Sequence, residues 1–399
     1  MNRPRGAALP WPAAGDRRAR GGLAAAPNRV LLVLVLASAA AAFGLPLLTQ
    51  APNRLVTGTG IGLGALLHGP RLALLLPAAA LLWSVFLRPG RVQLLWTAGW
   101  ASAWLAGLVA LAGSHAAAVD SGRTSFGGGF WVLAVLAWLI AADAVQRLRP
   151  GVLARTLGLA AVLSPVVVLA LSGALDGLSL FKEYANRQEV FDAALGRHLQ
   201  IVGLTLAATL LLGVPLGVLA HRRPAFGGPL VALLNIVQTV PSIALFGLLM
   251  APLAALALAW PGLGIGGVGL APAVVALTLY SLLPVVQGTL TGLRELPPAV
   301  LEAAIGMGLT PRQVFWRVEV PLALPLLLSA LRLTTVQAIG LAVVAALIGA
   351  GGLGAIVFQG LLSSAIDLVL LGVLPVVAFA VVADAVFALL GAWVQRTRP

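Results

Sequence analysis

The sequence predicts an all-α polytopic membrane protein with about ten transmembrane helices. Of its 399 residues, 60% are hydrophobic and only 9% are charged, which no soluble domain of this length would show. Its 46 glycines and 26 prolines would break soluble helices, but both residues are common in membrane helices, where neighbouring helices satisfy the freed backbone groups. There is no cysteine, so disulfides and thiol chemistry are excluded.

The chain begins with residues 1–29, a segment rich in Arg, Pro, Gly and Ala that is expected to be a basic cytoplasmic tail. A signal peptide is the alternative, but the next apolar segment is a full span without a clear cleavage site. Residues 49–70 are broken by Pro and Gly, which predicts a loop or a re-entrant segment. Ten segments have the length and composition of membrane spans: 30–48, 71–87, 92–113, 129–146, 152–175, 199–220, 229–253, 268–290, 322–348 and 368–394.

These spans fall into two groups of five. They predict an N-terminal membrane region over 30–175, a charged external loop over 176–197 and a second membrane domain over 198–399. An even number of spans puts both termini on one side of the membrane. With cytoplasmic termini, 19 of the 25 basic residues lie inside, as the positive-inside rule requires. Topology then explains the net charge of +13, and no nucleic-acid partner is expected.

The most informative segment is 301–325, which lies between two spans yet carries four charged side chains, those of Glu302, Arg312, Arg317 and Glu319. Its first residues suit a helix that Gly306 and Gly308 end. Thr310 as N-cap and Pro311 at the first helical position then start another helix. The pattern predicts a short helix–turn–helix on the cytoplasmic membrane surface.

The spacing within this segment resembles the EAA motif of the membrane subunits of binding-protein-dependent ABC importers, EAA-x3-G-x9-I-x-L-P. The matching positions are Glu302, Ala303, Ala304, Gly308, Val318, Val320 and Pro321, where only the two valines depart from the motif. In that family the loop docks into a cleft of the ATPase subunit. The resemblance implies an ATPase-coupling loop here, with Arg312 and Arg317 as further candidate contacts, and a C-terminal half that is an ABC importer permease domain.

Two further stretches resemble the osmoprotectant branch of these importers, which transports glycine betaine, carnitine or choline. They are the NIVQTVPS sequence of residues 235–242 and the IGAGGLG sequence of residues 348–354. The resemblance covers about half of the chain, from residue 198 onward. It implies the permease subunit of an ATP-driven importer, most closely one for a quaternary-ammonium osmoprotectant.

In the first stretch, the candidate path-lining or kink residues are Asn235, Gln238, Thr239, Pro241 and Ser242. Pro241 cannot donate an in-helix hydrogen bond, and the polar side chains beside it can satisfy freed carbonyl groups. The pattern predicts a kinked helix that either lines a translocation path or only packs in the core.

In the second stretch, four glycines permit either a hinge or a close helix approach: Gly349, Gly351, Gly352 and Gly354.

Asp143 and Asp384 lie near the predicted ends of their spans, where snorkelling or pairing with an arginine is favoured over a proton relay. The histidines show no ligand spacing, and no metal site or cofactor is expected. The one lysine, Lys182, does not stand in a phosphate-binding loop, and no catalytic constellation is present, so the chain is expected to be a non-catalytic subunit.

The resemblance therefore implies four partners: an ABC ATPase subunit, a second permease subunit that is either a copy or a paralogue, an extracytoplasmic solute-binding protein, and membrane lipid. Two alternatives stay open. The solute of an ABC permease could be an amino acid or another small molecule. A gradient-driven secondary transporter would show an inverted repeat and charged midplane residues, neither of which is plain in this sequence.

Overall fold

The computed structural model describes residues 28–53, 56, 58–88, 90–119, 122–263 and 265–396, so nearly all of the predicted basic tail, 1–29, lies outside the described residues. The helices of the N-terminal half are α1 (Arg29–Gly44), α2 (Leu63–Leu66), α3 (Leu75–Ser84), α4 (Arg91–Ala117), α5 (Gly128–Arg147), α6 (Val152–Leu171) and α7 (Ser179–Asn186). Those of the C-terminal half are α8 (Gln188–Arg222), α9 (Pro224–Thr239), α10 (Ser242–Ala259), α11 (Leu270–Arg294), α12 (Pro298–Gly306), α13 (Pro311–Val314), α14 (Val320–Val344), α15 (Leu353–Leu362) and α16 (Ile366–Arg396).

The helical membrane architecture is confirmed, with small differences in the spans. Within the described residues, eight helical segments are long and apolar enough to cross a membrane. The predicted spans 30–48 and 71–87 are shorter helices, Arg29–Gly44 and Gly69–Ser84. The predicted span 229–253 is two helices, α9 and α10, because the chain leaves helical geometry at Val240 and Pro241. The expected number of about ten spans is therefore approximate.

A small β-sheet was not predicted. Its strands are β1 (Pro46–Ala51), β2 (Thr59–Gly62) and β3 (Arg123–Phe126), all antiparallel, in the order β2-β1-β3. The expectation of a loop or re-entrant segment over 49–70 is wrong in part, since the end of β1, all of β2 and α2 lie there. The glycines that suggest an irregular loop instead allow β1 and β2 to approach closely. At position 60, for example, a Cβ would lie only 2.8 Å from the Pro46 Cβ.

The charged connection, 176–197, is mostly helical and not an irregular loop. It forms α7 and the first turns of α8. Its helix α7 contacts both β3 and α16, so the connection packs between the sheet and the last helix.

Two large hydrophobic clusters form the core, one among helices α1–α6 and the sheet, the other among α8, α10, α11 and α14–α16. The most extensive helix contact is that between α8 and α11. It is close because Gly217 faces α11, where a Cβ would lie 2.6 Å from the Thr289 Cβ. Small residues at such a contact are typical of membrane helix packing.

The long helix α8 defines two ends of the molecule. At its start, the Arg197 guanidinium donates to the carbonyl oxygen of Ala350 at 3.1 Å. At its finish, the Arg222 guanidinium carbon lies 4.8 Å from the centre of the Phe315 ring. We call the first the sheet end, because α7 and β3 also lie there, and the second the loop end, because segment 301–325 lies there.

Candidate coupling and translocation site

The loop end is built around a tight turn after α12. The N–H of Gly308 donates to the carbonyl of Ile305 at 2.9 Å, and the N–H of Leu309 donates to that of Ala304 at 3.3 Å. This pair of bonds is a Schellman motif, which requires a left-handed residue after the helix. Gly308 has φ +81°, which explains why the motif needs glycine at this position.

A second helix begins directly after this turn. Thr310 is its N-cap and Pro311 its first residue, as the sequence predicts, and Thr310 and Gln313 form a reciprocal capping box. However, this helix does not lie separately on the membrane surface. It continues through a π turn, Phe315–Glu319, into α14, so that residues 311–348 form one helical segment. In the π turn the Val320 N–H reaches back to the Phe315 carbonyl, directly before Pro321, which has no N–H to donate.

The loop end presents charged and apolar side chains together. Glu302, Ala303, Arg312, Arg317 and Pro321 are exposed, whereas Ala304 is buried. Among the described residues, Glu302, Arg312 and Arg317 form no ion pair. Beside them lie three exposed apolar side chains, Ile305, Met307 and Trp316. An apolar patch rimmed by unpaired charges is typical of a protein-binding surface.

The helix break between α9 and α10 is held by α11. The Tyr280 hydroxyl donates to the carbonyl of Val240, the residue at which the chain leaves helical geometry after α9. In return, the Gln238 amide donates to the Tyr280 carbonyl at 2.8 Å. The sequence predicts that Gln238 satisfies a carbonyl freed by Pro241, but the carbonyl that accepts from Gln238 belongs to α11.

The other polar side chains at the break point away from this contact. Asn235 and Thr239 are exposed and donate to carbonyls of their own helix, those of Val231 and Ile236, at 2.9 Å and 2.7 Å. Ser242, at the start of α10, is half-buried. The break therefore has one side fixed to the core and one polar side that is open.

The glycine sequence lies at the sheet end, between α14 and α15. Gly349, Gly351 and Gly352 all have φ between +77° and +79°, a left-handed geometry that other residues rarely adopt. Gly354 is different, since a Cβ there would overlap the Val343 carbonyl oxygen. The segment therefore combines three left-handed glycines with one close contact between α15 and α14.

The predicted site residues thus lie in three separate regions of the structure. The coupling candidates lie at the loop end, the glycines lie at the sheet end, and the helix break contacts α11 between α9 and α10. Three side chains that the sequence did not single out join these regions to neighbouring elements: Arg222, Tyr280 and Arg197. Tyr280 is one of only two tyrosines, and a hydroxyl inside an apolar span indicates a hydrogen-bond partner nearby, which is a signal present in the sequence.

The two membrane acids are paired, as the sequence favours. Asp143 accepts from Arg147 at 2.7 Å, four residues along α5. Asp384 on α16 accepts two hydrogen bonds from the Arg332 guanidinium on α14, one of them 2.7 Å long. Such a bidentate pair satisfies both ions and joins the two helices.

Comparisons with known proteins agree with this architecture. The family profile described as "Binding-protein-dependent transport system inner membrane component" matches residues 210–396. A second profile, "ABC transporter permease YehY, N-terminal domain", matches residues 28–181.

Three curated relatives each match between 47% and 59% of this chain. The osmoprotectant import permease protein OsmW of Salmonella typhimurium is 42% identical over 189 residues, which are 47% of this chain and 84% of OsmW. OsmY of the same organism is 36% identical over 239 residues, 59% of this chain and 96% of OsmY. The choline transport system permease protein OpuBB of Bacillus subtilis is 38% identical over 191 residues, 48% of this chain and 82% of OpuBB.

The fold and the site define a multi-pass membrane subunit of a transport system. The chain belongs to the family of binding-protein-dependent ABC importer permeases. It is accordingly a protein of the inner membrane.

Proposed function

We propose that this permease carries a quaternary-ammonium osmoprotectant, such as glycine betaine, carnitine or choline, into the cell. The observation that carries the proposal is the 42% identity with an osmoprotectant import permease over 84% of that protein's length. The relative named for choline, at 38% identity, supports the same class of solute.

In this proposal the chain supplies the path, and its partners supply energy and capture the solute. The apolar patch at the loop end, with Glu302, Arg312 and Arg317 around it, suits a protein partner, and we assign it to an ABC ATPase subunit. A second permease subunit, a copy or a paralogue, would cover the open polar side of the helix break, so that Asn235 and Thr239 face a path between the two subunits. An extracytoplasmic solute-binding protein would deliver the solute at the sheet end, with both termini in the cytoplasm.

The test is uptake of labelled glycine betaine by cells that contain the whole importer. We expect uptake that continues after the ion gradients are collapsed and that is lost in a Gly308→Arg variant present at normal abundance. Carnitine and choline should compete with glycine betaine, and amino acids should not.

Each part of the proposal can fail separately. Uptake abolished by gradient collapse alone would indicate a secondary transporter. Competition by an amino acid, with no effect of choline, would overturn the assignment of the solute and leave the importer class intact.

A further inference from the structure

A group of charged side chains at the sheet end joins the two parts of the chain. Arg123 on β3 donates to the Glu183 carboxylate on α7 at 2.6 Å and lies 3.5 Å from the Asp367 carboxylate on α16. The Ser125 hydroxyl, also on β3, donates to Asp367 at 2.7 Å across 242 residues of sequence. We call these side chains, together with Arg187, the ionic clamp.

The clamp crosses the boundary between the two family profiles. Arg123 and Ser125 lie in the part that matches the N-terminal domain, residues 28–181, and Asp367 lies in the permease part, residues 210–396. Elsewhere, α6 packs against α16 as well. The N-terminal part therefore contacts the permease part along its last helix.

Arg187 extends the clamp to the next helix. Its guanidinium lies 3.6 Å from Glu183 and donates to the Gln359 side chain on α15 at 3.3 Å. With Arg187 included, two arginines face two carboxylates, so the charges of the group balance. The clamp thereby touches both helices of the corner between α15 and α16.

Burial makes this group difficult to open. The Glu183 side chain is 1% exposed and that of Asp367 is 10% exposed. Separating a buried carboxylate from its arginine leaves an uncompensated charge, which costs far more than separating a pair at the surface. An exposed pair such as Arg147 and Asp143 has no comparable penalty, since their side chains are 44% and 29% exposed.

The clamped corner lies next to the glycine sequence. Residues 349–352 lead directly into α15, and on their other side a 3-10 turn, Ala345–Ile348, continues α14. If the corner is fixed, any movement of α14 relative to α15 must occur in this glycine segment.

We propose that the N-terminal part is a brace that holds the α15–α16 corner in one position throughout the transport cycle, and that Arg123 is the positioning residue of this brace. The brace rests on the proposed function only because transport is one of the two quantities measured in its tests. It gives the first half of the chain a role that the coupling loop and the helix break do not supply.

The first test compares two arginine variants in the complete importer. Arg123→Gln should lose most of its transport and lower the melting temperature of the purified chain in detergent, whereas Arg147→Gln, the matched control, should change neither. Arg123→Lys should recover part of both losses, because an ammonium group keeps the charge but not the planar, fixed geometry of the guanidinium. Equal effects of the two glutamine variants would overturn the proposal.

The second test uses the absence of cysteine from the sequence. A chain with Ser125→Cys and Asp367→Cys can be bridged by a short thiol-reactive linker, and each single variant serves as control. We expect weak transport before bridging and recovered transport afterwards, because a covalent bond then replaces the clamp.

Two outcomes would refute a permanent brace. Transport that is normal before bridging would show that the contact is not needed, and transport that stops on bridging would show that the contact must open in each cycle. If the importer carries no osmoprotectant at all, the melting temperatures still test the brace, because they need no solute.

Discussion

Replacing Gly308 tests the coupling assignment most directly. Its φ of +81° costs an ordinary L-residue about 1–2 kcal/mol. No atom lies within 4 Å of a Cβ built there, so no steric clash adds to this cost. Gly308→Ala should therefore lower the ratio of folded to unfolded turn by about 5–30-fold without disturbing the membrane core.

A series of substitutions at this position should follow backbone preference and not side-chain size. Asn tolerates left-handed geometry best, Ala less and the β-branched Val least. We expect transport and solute-stimulated ATP hydrolysis to fall in the order Gly308, Asn, Ala, Val, at equal abundance in the membrane.

Gly306→Ala is the matched control for this series. Gly306 is the last residue of α12, its φ is not positive, and its Cβ position is also open, so alanine should stabilise the helix by up to about 1 kcal/mol. Normal transport in Gly308→Val, or a loss in Gly306→Ala as large as that in Gly308→Ala, would refute the argument that the left-handed turn shapes the coupling surface.

Three further predictions concern contacts between helices. Tyr280→Phe removes the donor to the helix break and should cost about 1 kcal/mol, measured as a lower melting temperature of the purified chain. Arg332→Asp and Asp384→Arg should each reduce membrane abundance, and the double variant should recover it if the bidentate pair joins the helices as described. Gly354→Ala should prevent normal folding, because the added Cβ would overlap a backbone carbonyl. Gly349→Ala should fold and lose only part of its thermal stability, because its Cβ would lie in open space and only the left-handed backbone is strained. Membrane abundance and the melting temperature of the purified chain distinguish the two variants.

Local signals predict the loop end well. Thr310, Pro311 and Gly308 act within one turn of the chain, because a cap or a left-handed residue satisfies backbone groups only a few positions away. The family resemblance shares Gly308 with this set, and the pairing of Asp384 follows from the cost of an unpaired acid in a membrane.

Contacts between distant parts of the chain are not visible in the same way. The β3 strand pairs with β1 although more than seventy residues separate them, and the four-residue sequence RTSF carries no pattern that distinguishes a strand from a loop. The contact between Ser125 and Asp367 is equally hidden, since nothing in the sequence near either residue indicates that the two side chains meet. The break at Pro241 is visible in sequence, but its hydrogen bond from Tyr280 is not, because only the fold brings that residue there.

The continuity of α13, the π turn and α14 has a consequence for coupling. A coupling helix that lay separately on the membrane surface would have to pass its movement through a flexible turn. Here the helical segment 311–348 extends from the exposed loop end to the glycines at the sheet end without an irregular segment between them. A partner that displaces the residues around Trp316 would therefore move α14 as a whole. The turn at Gly308 separates α12 from this movement, and the glycines after residue 348 lie between α14 and α15. Because the Arg332–Asp384 pair joins α14 to α16, the movement would also reach the later part of α16.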